Sequence, residues 1–261
     1  MRLKDKVAIV TGGGSGIGRA ICLAFASEGA MVEVAGRTPV RLQEVADGIN
    51  SGGGRARPNP VDVSDEEKVR EMVARTVEEY GRVDILVNNA GIPGPTAPVV
   101  NMNLDQWNEV LSINLTGAML CSREVLAHMA GRKSGCIVNI GSVGGMSGFP
   151  MRSPYCVSKM GLLGLTETMA IEAGDYNIRV NCISPAAVRG DRILNAARAK
   201  GKALGMDYEK VLERLTKDYS LKRLIEPSEV AGAAVFLASD DASAITGQNL
   251  AVSCGLHISH Y

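Results

Sequence analysis

Tyr155 and Lys159 stand four residues apart in Tyr155-Cys156-Val157-Ser158-Lys159. On a helix that spacing puts both side chains on one face. An ammonium beside a phenol favours the phenolate, so the pair suits proton transfer to and from an oxygen. Exposed helices hold Tyr-x3-Lys pairs by chance, so the pair gains meaning only from its neighbours. Ser142 follows the apolar run Cys136–Ile140, at the carboxyl edge of a strand, where open α/β sheets bind ligands. A second constellation lies near the start, in Thr11-Gly12-Gly13-Gly14-Ser15-Gly16-Ile17-Gly18. Glycines there let a backbone approach a pyrophosphate, and the helix that follows offers free N–H groups to the anion. Surface loops also collect glycine; the strand–glycine–helix context is what distinguishes this one. The spacing Gly12-x3-Gly16-x-Gly18 departs from the common G-x-G-x-x-G.

The next strand ends at Ala35-Gly36-Arg37-Thr38. A site selective for NAD usually places a carboxylate there, on the adenosine ribose hydroxyls. Gly36 leaves that place uncharged, and the Arg37 guanidinium can pair with a 2′-phosphate bidentately. The expectation is NADP(H) in preference, with NAD(H) possible.

The elements that must position these groups follow from hydrophobic periodicity. Strands are expected at Val7–Val10, Met31–Ala35, Ile85–Val87, Cys136–Ile140, Arg179–Ile183 and Asn249–Val252. Helices are expected at Ile17–Glu28, around Leu42, Val45, Ala46 and Ile49, from Val69 to Tyr80, and from Pro227 to about Ser239. Such alternation implies an α/β fold: one Rossmann-type, doubly wound parallel sheet with helices on both faces. No repeat or linker divides the 261 residues, so a single dinucleotide-binding and catalytic domain over 1–261 is expected. Only 186–223 breaks the rhythm. It is polar and rich in Lys and Arg, with two short helices expected near Asp191–Lys202 and Asp207–Tyr219, and reads as a substrate-covering lid.

Composition excludes several classes. Lys+Arg and Asp+Glu number 28 each, leaving no net charge to attract nucleic acid or an anionic membrane. No apolar run reads as long enough to span a bilayer, and the charged start Met1–Lys6 lacks a signal peptide's apolar stretch. The six cysteines, Cys22, Cys121, Cys136, Cys156, Cys182 and Cys254, include no CxxC pair and no zinc spacing with His. No metal site is expected. Small buried thiols fit a reducing compartment, so a cytoplasmic protein is expected.

Together, Thr11-Gly12-x3-Gly16-Ile17-Gly18, Asp62-Val63, Asn88-Asn89-Ala90-Gly91, Asn114, Ser142, Tyr155-x3-Lys159, Asn181 and Pro185 resemble the short-chain dehydrogenase/reductase family, from Val7 to about Gly255. The resemblance implies an NAD(P)-dependent oxidoreductase that interconverts a secondary alcohol and a ketone by hydride transfer. It implies Tyr155 as general acid/base, Ser142 holding the substrate oxygen, Lys159 on the nicotinamide ribose, and Asn114 anchoring a water beside Lys159. Asp62 and Val63 would meet the adenine, Asn89 would flank the adenosine ribose, and Ile17 and Val188 would make backbone contacts. The full set of expected cofactor contacts is Gly12, Gly14, Ser15, Gly16, Ile17, Gly18, Arg37, Thr38, Asp62, Val63, Asn89, Ala90, Gly91, Tyr155, Lys159, Pro185 and Val188. For Asn88 and Asn114 the competing reading is plain capping of loops and helices.

Three departures stand against the family pattern: Pro185-Ala186 in place of Pro-Gly, Gly190 where a threonine is common, and Val252-Ser253-Cys254-Gly255 in place of Val-Asp-Gly-Gly. A β-ketoacyl thioester reductase shares these motifs and is one alternative. A catalytically silent cofactor-sensing or scaffold protein is another, although it would have no need of Ser142, Tyr155 and Lys159 together. The resemblance and the apolar segment Ile245–Leu256 imply a homotetramer. Arg152, Arg189 and Arg192 flank the expected cleft, so an anionic alcohol or carbonyl substrate, clamped by guanidiniums, is a further expectation.

Overall fold

The computed structural model describes residues 1–256, without the side chains of Arg192, Ala199, Lys200 and Ala203. Seven strands form one sheet in the order β3-β2-β1-β4-β5-β6-β7. They are β1 (Val7–Thr11), β2 (Met31–Gly36), β3 (Arg55–Pro60), β4 (Ile85–Asn88), β5 (Gly135–Ile140), β6 (Ile178–Pro185) and β7 (Asn249–Val252). Every neighbouring pair is parallel. The order reverses between β1 and β4, which opens a crevice at the strands' carboxyl ends. The central strands are apolar runs buried along their whole length, as β1 and β4 show, because helices cover both faces.

One face carries α1 (Gly16–Ser27), α2 (Pro39–Ser51) and α9 (Pro227–Ala238). Ile21, Cys22 and Phe25 of α1 pack there with Val230 and Ala234 of α9. The other face carries α3 (Glu66–Tyr80), α5 (Gly117–Arg132) and α6 (Ser153–Glu172), with Val69, Met72, Leu120, Val125 and Met169 in its core. The α3 boundaries have local causes. The Asp65 carboxylate accepts from the Glu67 and Lys68 amides, and Gly81 closes the far end at φ 72°; glycine takes that left-handed cap without a Cβ clash.

Two features depart from expectation. The strand β3 (sequence RARPNP) is not among the expected strands, and its two prolines and two arginines give it no apolar run. It is an edge strand, where prolines are tolerated since one side needs no ladder donors. Second, α4 (Leu104–Leu111), a π-helical turn (Ser112–Thr116) and α5 run on as one 29-residue helix. By length and composition alone that helix could cross a membrane, contrary to the sequence expectation. Half of its most apolar stretch is buried inside the domain, as befits a core helix.

Glu33 in β2 is fully buried. Its Oε2 accepts from Asn59 Nδ2 at 2.8 Å, while Oε1 has no hydrogen-bond donor and lies 3.4 Å from Arg57 Nε. Burial pushes this carboxyl above its ordinary value, although Asn59 and Arg57 pull the other way. A raised acid favours folding below its unfolded titration range and loses that contribution as pH rises through the folded one. Glu33→Gln is therefore expected to raise the Tm at neutral pH and to change it little near about pH 4. Calorimetry at both pH values checks this; a lower Tm at neutral pH contradicts it.

Candidate active site

The glycine loop occupies the mouth of the crevice and is held by the strand beside it. Thr11 Oγ1 accepts from the Asn89 and Ala90 amides, both at 3.0 Å, and donates to the Val87 carbonyl. Asn89 Nδ2 donates to the Thr11 and Gly12 carbonyls at 2.9 and 3.2 Å. Asn89 thus fastens the loop that begins α1. Gly12 and Gly16 have φ of 65° and 52°, left-handed values that glycine adopts without a Cβ penalty. A Cβ on Gly18 would fall 2.2 Å from the Gly12 carbonyl oxygen, so only glycine lets α1 start this close to β1.

Two adjoining clefts extend from this loop. One, of about 240 Å³, is lined by Gly12, Gly14, Ser15, Arg37, Thr38, Asp62 and Val63, with Arg41. The other, of about 440 Å³, is lined by Gly16, Ile17, Asn89, Gly91, Tyr155, Lys159 and Val188. They share Gly12, Ser15, Arg41, Ala90, Gly91 and Ile92, so they form one elongated trough over the N-terminus of α1. Its length, its glycine floor and the helix end beneath it fit a dinucleotide. Burial disfavours the Asp62 carboxylate, but hydrogen bonds from the Ser64 hydroxyl and amide, with the nearby Arg37 charge, hold it below the usual range. It is a charged acceptor at this end of the trough. Gly18 and Pro185 do not line the trough: Gly18 packs beneath the loop, and Pro185 ends β6 beside Val252.

At the other end, α6 presents Tyr155 and Lys159 to the cleft. Lys159 is buried and donates from Nζ to the Ile140 carbonyl at 2.7 Å, which ties α6 to the end of β5. Ser142 is buried just past β5, and its Oγ accepts from the Gly144 amide at 3.0 Å. Gly141, not Ser142, lines the cleft. Asn114 sits in the π-helical turn, a distortion often found at functional sites. Its Oδ1 accepts from the Ile92 amide, and its Nδ2 donates to the Ile92 carbonyl and to Ser158 Oγ. The side chain therefore fastens the loop after β4 to α6. A Cβ placed on Gly91 would lie 3.1 Å from Asn114 Oδ1 and 3.7 Å from Lys159 Nζ, so the two groups converge there. Asn88 is buried away from the trough, donating to Asn139 and Ser122.

Two of the three arginines expected to clamp an anion have partners within the protein. Arg189 Nε pairs with Glu226 at 2.6 Å. Arg152 donates to the Pro93 carbonyl and Thr96. The Arg192 side chain lies outside the described residues. Arg41 and Ile92 line both halves of the trough, yet nothing in the local pattern marks them. Arg41 is placed there by α2.

The family model described as enoyl-(acyl carrier protein) reductase matches residues 12–257. A 3-oxoacyl-(acyl-carrier-protein) reductase of Thermotoga maritima is 36% identical over 99% of this chain and 100% of its own length. A meso-2,3-butanediol dehydrogenase of Serratia marcescens is 34% identical over 98% of this chain and 96% of its own. The crystal structure of an NAD+-bound xylitol dehydrogenase superposes with a TM-score of 0.91 at 33% identity, over 97% of this chain and 99% of that one. The chain belongs to the short-chain dehydrogenase/reductase family and is an NAD(P)-dependent oxidoreductase of secondary alcohols and ketones.

Proposed function

We propose that Tyr155 moves the proton at the substrate oxygen, that Ser142 holds that oxygen, and that Lys159 binds the nicotinamide ribose beside them. The observation that carries this reading is the convergence of Tyr155 and Lys159 in one cleft with the glycine loop. The bound dinucleotide supplies or accepts the hydride. In the reducing direction Tyr155 Oη gives its proton to the carbonyl oxygen; in the oxidising direction it takes the proton from the alcohol. Asn114 holds the loop at Ile92 against α6 and so keeps Tyr155 and Lys159 in register. The segment 186–223, with α7 (Asp191–Leu204) and α8 (Tyr208–Thr216), is the lid. Val188, Arg189, Asp191 and Ile193 bring it to the cleft wall, which supports this. Activity of the parent toward ketones, lost in Tyr155→Phe, tests the assignment.

NADP(H) is the preferred cofactor. Arg37 and Arg41 line the adenosine end, and no carboxylate stands at Gly36. The xylitol dehydrogenase of the same fold binds NAD+, so the charge at this corner decides the choice. A Cβ on Gly36 would meet the flexible end of Leu42 at 3.3 Å and the Gly12 backbone at ordinary contact distances of 3.8 and 3.9 Å. Gly36→Asp therefore fits, and is expected to shift the NADP/NAD ratio of kcat/KM toward NAD by about 10-fold or more. A parent enzyme with higher kcat/KM for NAD(H) contradicts the reading.

The segment after β5 exposes Met146, Phe149 and Met151. Phe149 and Tyr155 both come within about 3.3 Å of the position a Gly144 Cβ would take. This apolar rim suits a substrate with an apolar body. It also keeps a second reading in view, a 3-oxoacyl thioester, as reduced by the Thermotoga relative; a thioester in the substrate panel separates the two. Assembly as a homotetramer is supported by the exposed Asn249, Leu250 and Ala251 of the edge strand β7. Light scattering at micromolar concentration tests it, and a monomer would refute it. The free thiols, five of them buried, support a cytoplasmic setting.

A further inference from the structure

Arg41 stands in the first turn of α2, and that turn is seated on the glycine loop. The Leu42 amide donates to the Thr38 carbonyl at 3.2 Å, and the Leu42 side chain is buried. A Cβ on Gly14 would lie 3.2 Å from Arg41 Cβ and 3.3 Å from Leu42 Cδ2. The bare backbone of Gly14 therefore lets the turn rest directly on the loop, and a side chain there would press on it. Arg41 and Arg37 differ in their place along the trough. Arg37 lines only the cleft that holds Asp62 and Val63. Arg41 lines that cleft and also the one that holds Tyr155 and Lys159, so it stands where the two join, with Gly12 and Ser15. Among the described residues no carboxylate pairs with Arg41. Arg189, the other arginine of the second cleft, is paired with Glu226.

We propose that Arg41 is a cofactor-binding residue whose guanidinium meets the diphosphate, the anion common to NADP(H) and NAD(H), leaving the 2′-phosphate to Arg37. In a dinucleotide laid along the trough, the group between the two nucleoside ends is the diphosphate, and the junction of the clefts is where Arg41 stands. Residues 12–18 contain no cation. The loop and the start of α1 therefore offer N–H dipoles to the diphosphate but no full positive charge. A guanidinium stays ionised at every working pH and can bond two phosphate oxygens at once. Nothing in the glycine motif marks Arg41, because it comes from the next helix, twenty-three residues beyond Gly18. The inference rests on the trough as the dinucleotide site and not on which dinucleotide is preferred.

The test needs no substrate and no turnover. Binding of NADPH and of NADH is titrated by the fluorescence of the reduced nicotinamide, at low and at high salt, in the parent, Arg41→Gln, Arg41→Lys and Arg37→Gln. Arg41→Gln is expected to weaken both dinucleotides by a similar factor of about 10. It should also flatten the salt dependence of NADH binding, because salt screens a contact between exposed charges. Arg41→Lys keeps the charge without the planar fork and should come within about threefold of the parent for both. Arg37→Gln should weaken NADPH and leave NADH within about twofold, since only NADPH carries the 2′-phosphate. Thermal unfolding without cofactor reads any structural role; Arg41 is exposed, so its variants should keep the parental Tm. A loss confined to NADPH would move Arg41 to the 2′-phosphate and overturn the proposal. So would no loss with either dinucleotide, or a loss that comes with a lower Tm and an unchanged salt dependence. A parent that binds neither dinucleotide would defeat the dinucleotide reading of the trough, and the inference with it.

Discussion

Tyr155→Phe is expected to lose turnover by about 10³-fold while binding the cofactor within about twofold of the parent. Phenylalanine keeps the same ring at the same place on α6. Only the hydroxyl goes, and with it the proton that must move at the substrate oxygen. Lys159 stays anchored on the Ile140 carbonyl, so the cleft keeps its shape. Steady-state kinetics together with a fluorescence titration of the reduced cofactor separate the two effects. Residual activity within tenfold of the parent would sink the assignment of Tyr155.

Gly18→Ala is the second change expected to act strongly, and by a different route. The added methyl would sit 2.2 Å from the Gly12 carbonyl oxygen and 2.5 Å from Asn89 Nδ2. Neither can retreat easily: Gly12 follows directly on the central strand β1, and Asn89 is tied to both Thr11 and Gly12. Helix α1 must lift from the sheet, at a cost of about 3 kcal/mol for overpacking a rigid site. The glycine loop moves with it, so cofactor affinity should fall by about 100-fold, the loss of the aligned helix end. Gly48→Ala is the internal control. Gly48 is exposed in α2 with nothing within 4 Å of its Cβ position, and alanine there should be neutral or stabilising by up to about 1 kcal/mol. Denaturant unfolding and cofactor titration of both variants check the contrast. A Gly18→Ala protein with parental stability and affinity would refute it.

What the chain reveals before folding is what depends on local periodicity. The Tyr155 and Lys159 pair needs only a helix, and α6 supplies it. The glycine loop needs a strand before it and a helix after it, and both are legible as apolar runs. Partners distant in sequence are not legible in the same way. Arg189 finds Glu226 thirty-seven residues on, and Arg152 finds Pro93 fifty-nine residues back. Their charges looked available for a substrate because no local spacing encodes those pairings. Asn114 is a similar case: its position was marked, but its bonds to the Ile92 backbone depend on a π-helical turn that no pattern announces. The strand β3 was hidden by Pro58 and Pro60, since an edge position is a property of the sheet and not of the segment.

The central claim is that this trough carries hydride exchange between a nicotinamide dinucleotide and an alcohol or ketone, with Tyr155 moving the proton. The most direct measurement follows nicotinamide absorbance while the parent and Tyr155→Phe are offered a panel of secondary alcohols, neutral and anionic ketones and a 3-oxoacyl thioester, each with NADP(H) and NAD(H). Turnover of at least one panel member by the parent, faster with NADP(H) and absent in Tyr155→Phe, is the predicted result. A parent that binds the dinucleotide and turns over no member of the panel, or a Tyr155→Phe variant that keeps pace with it, would contradict the account.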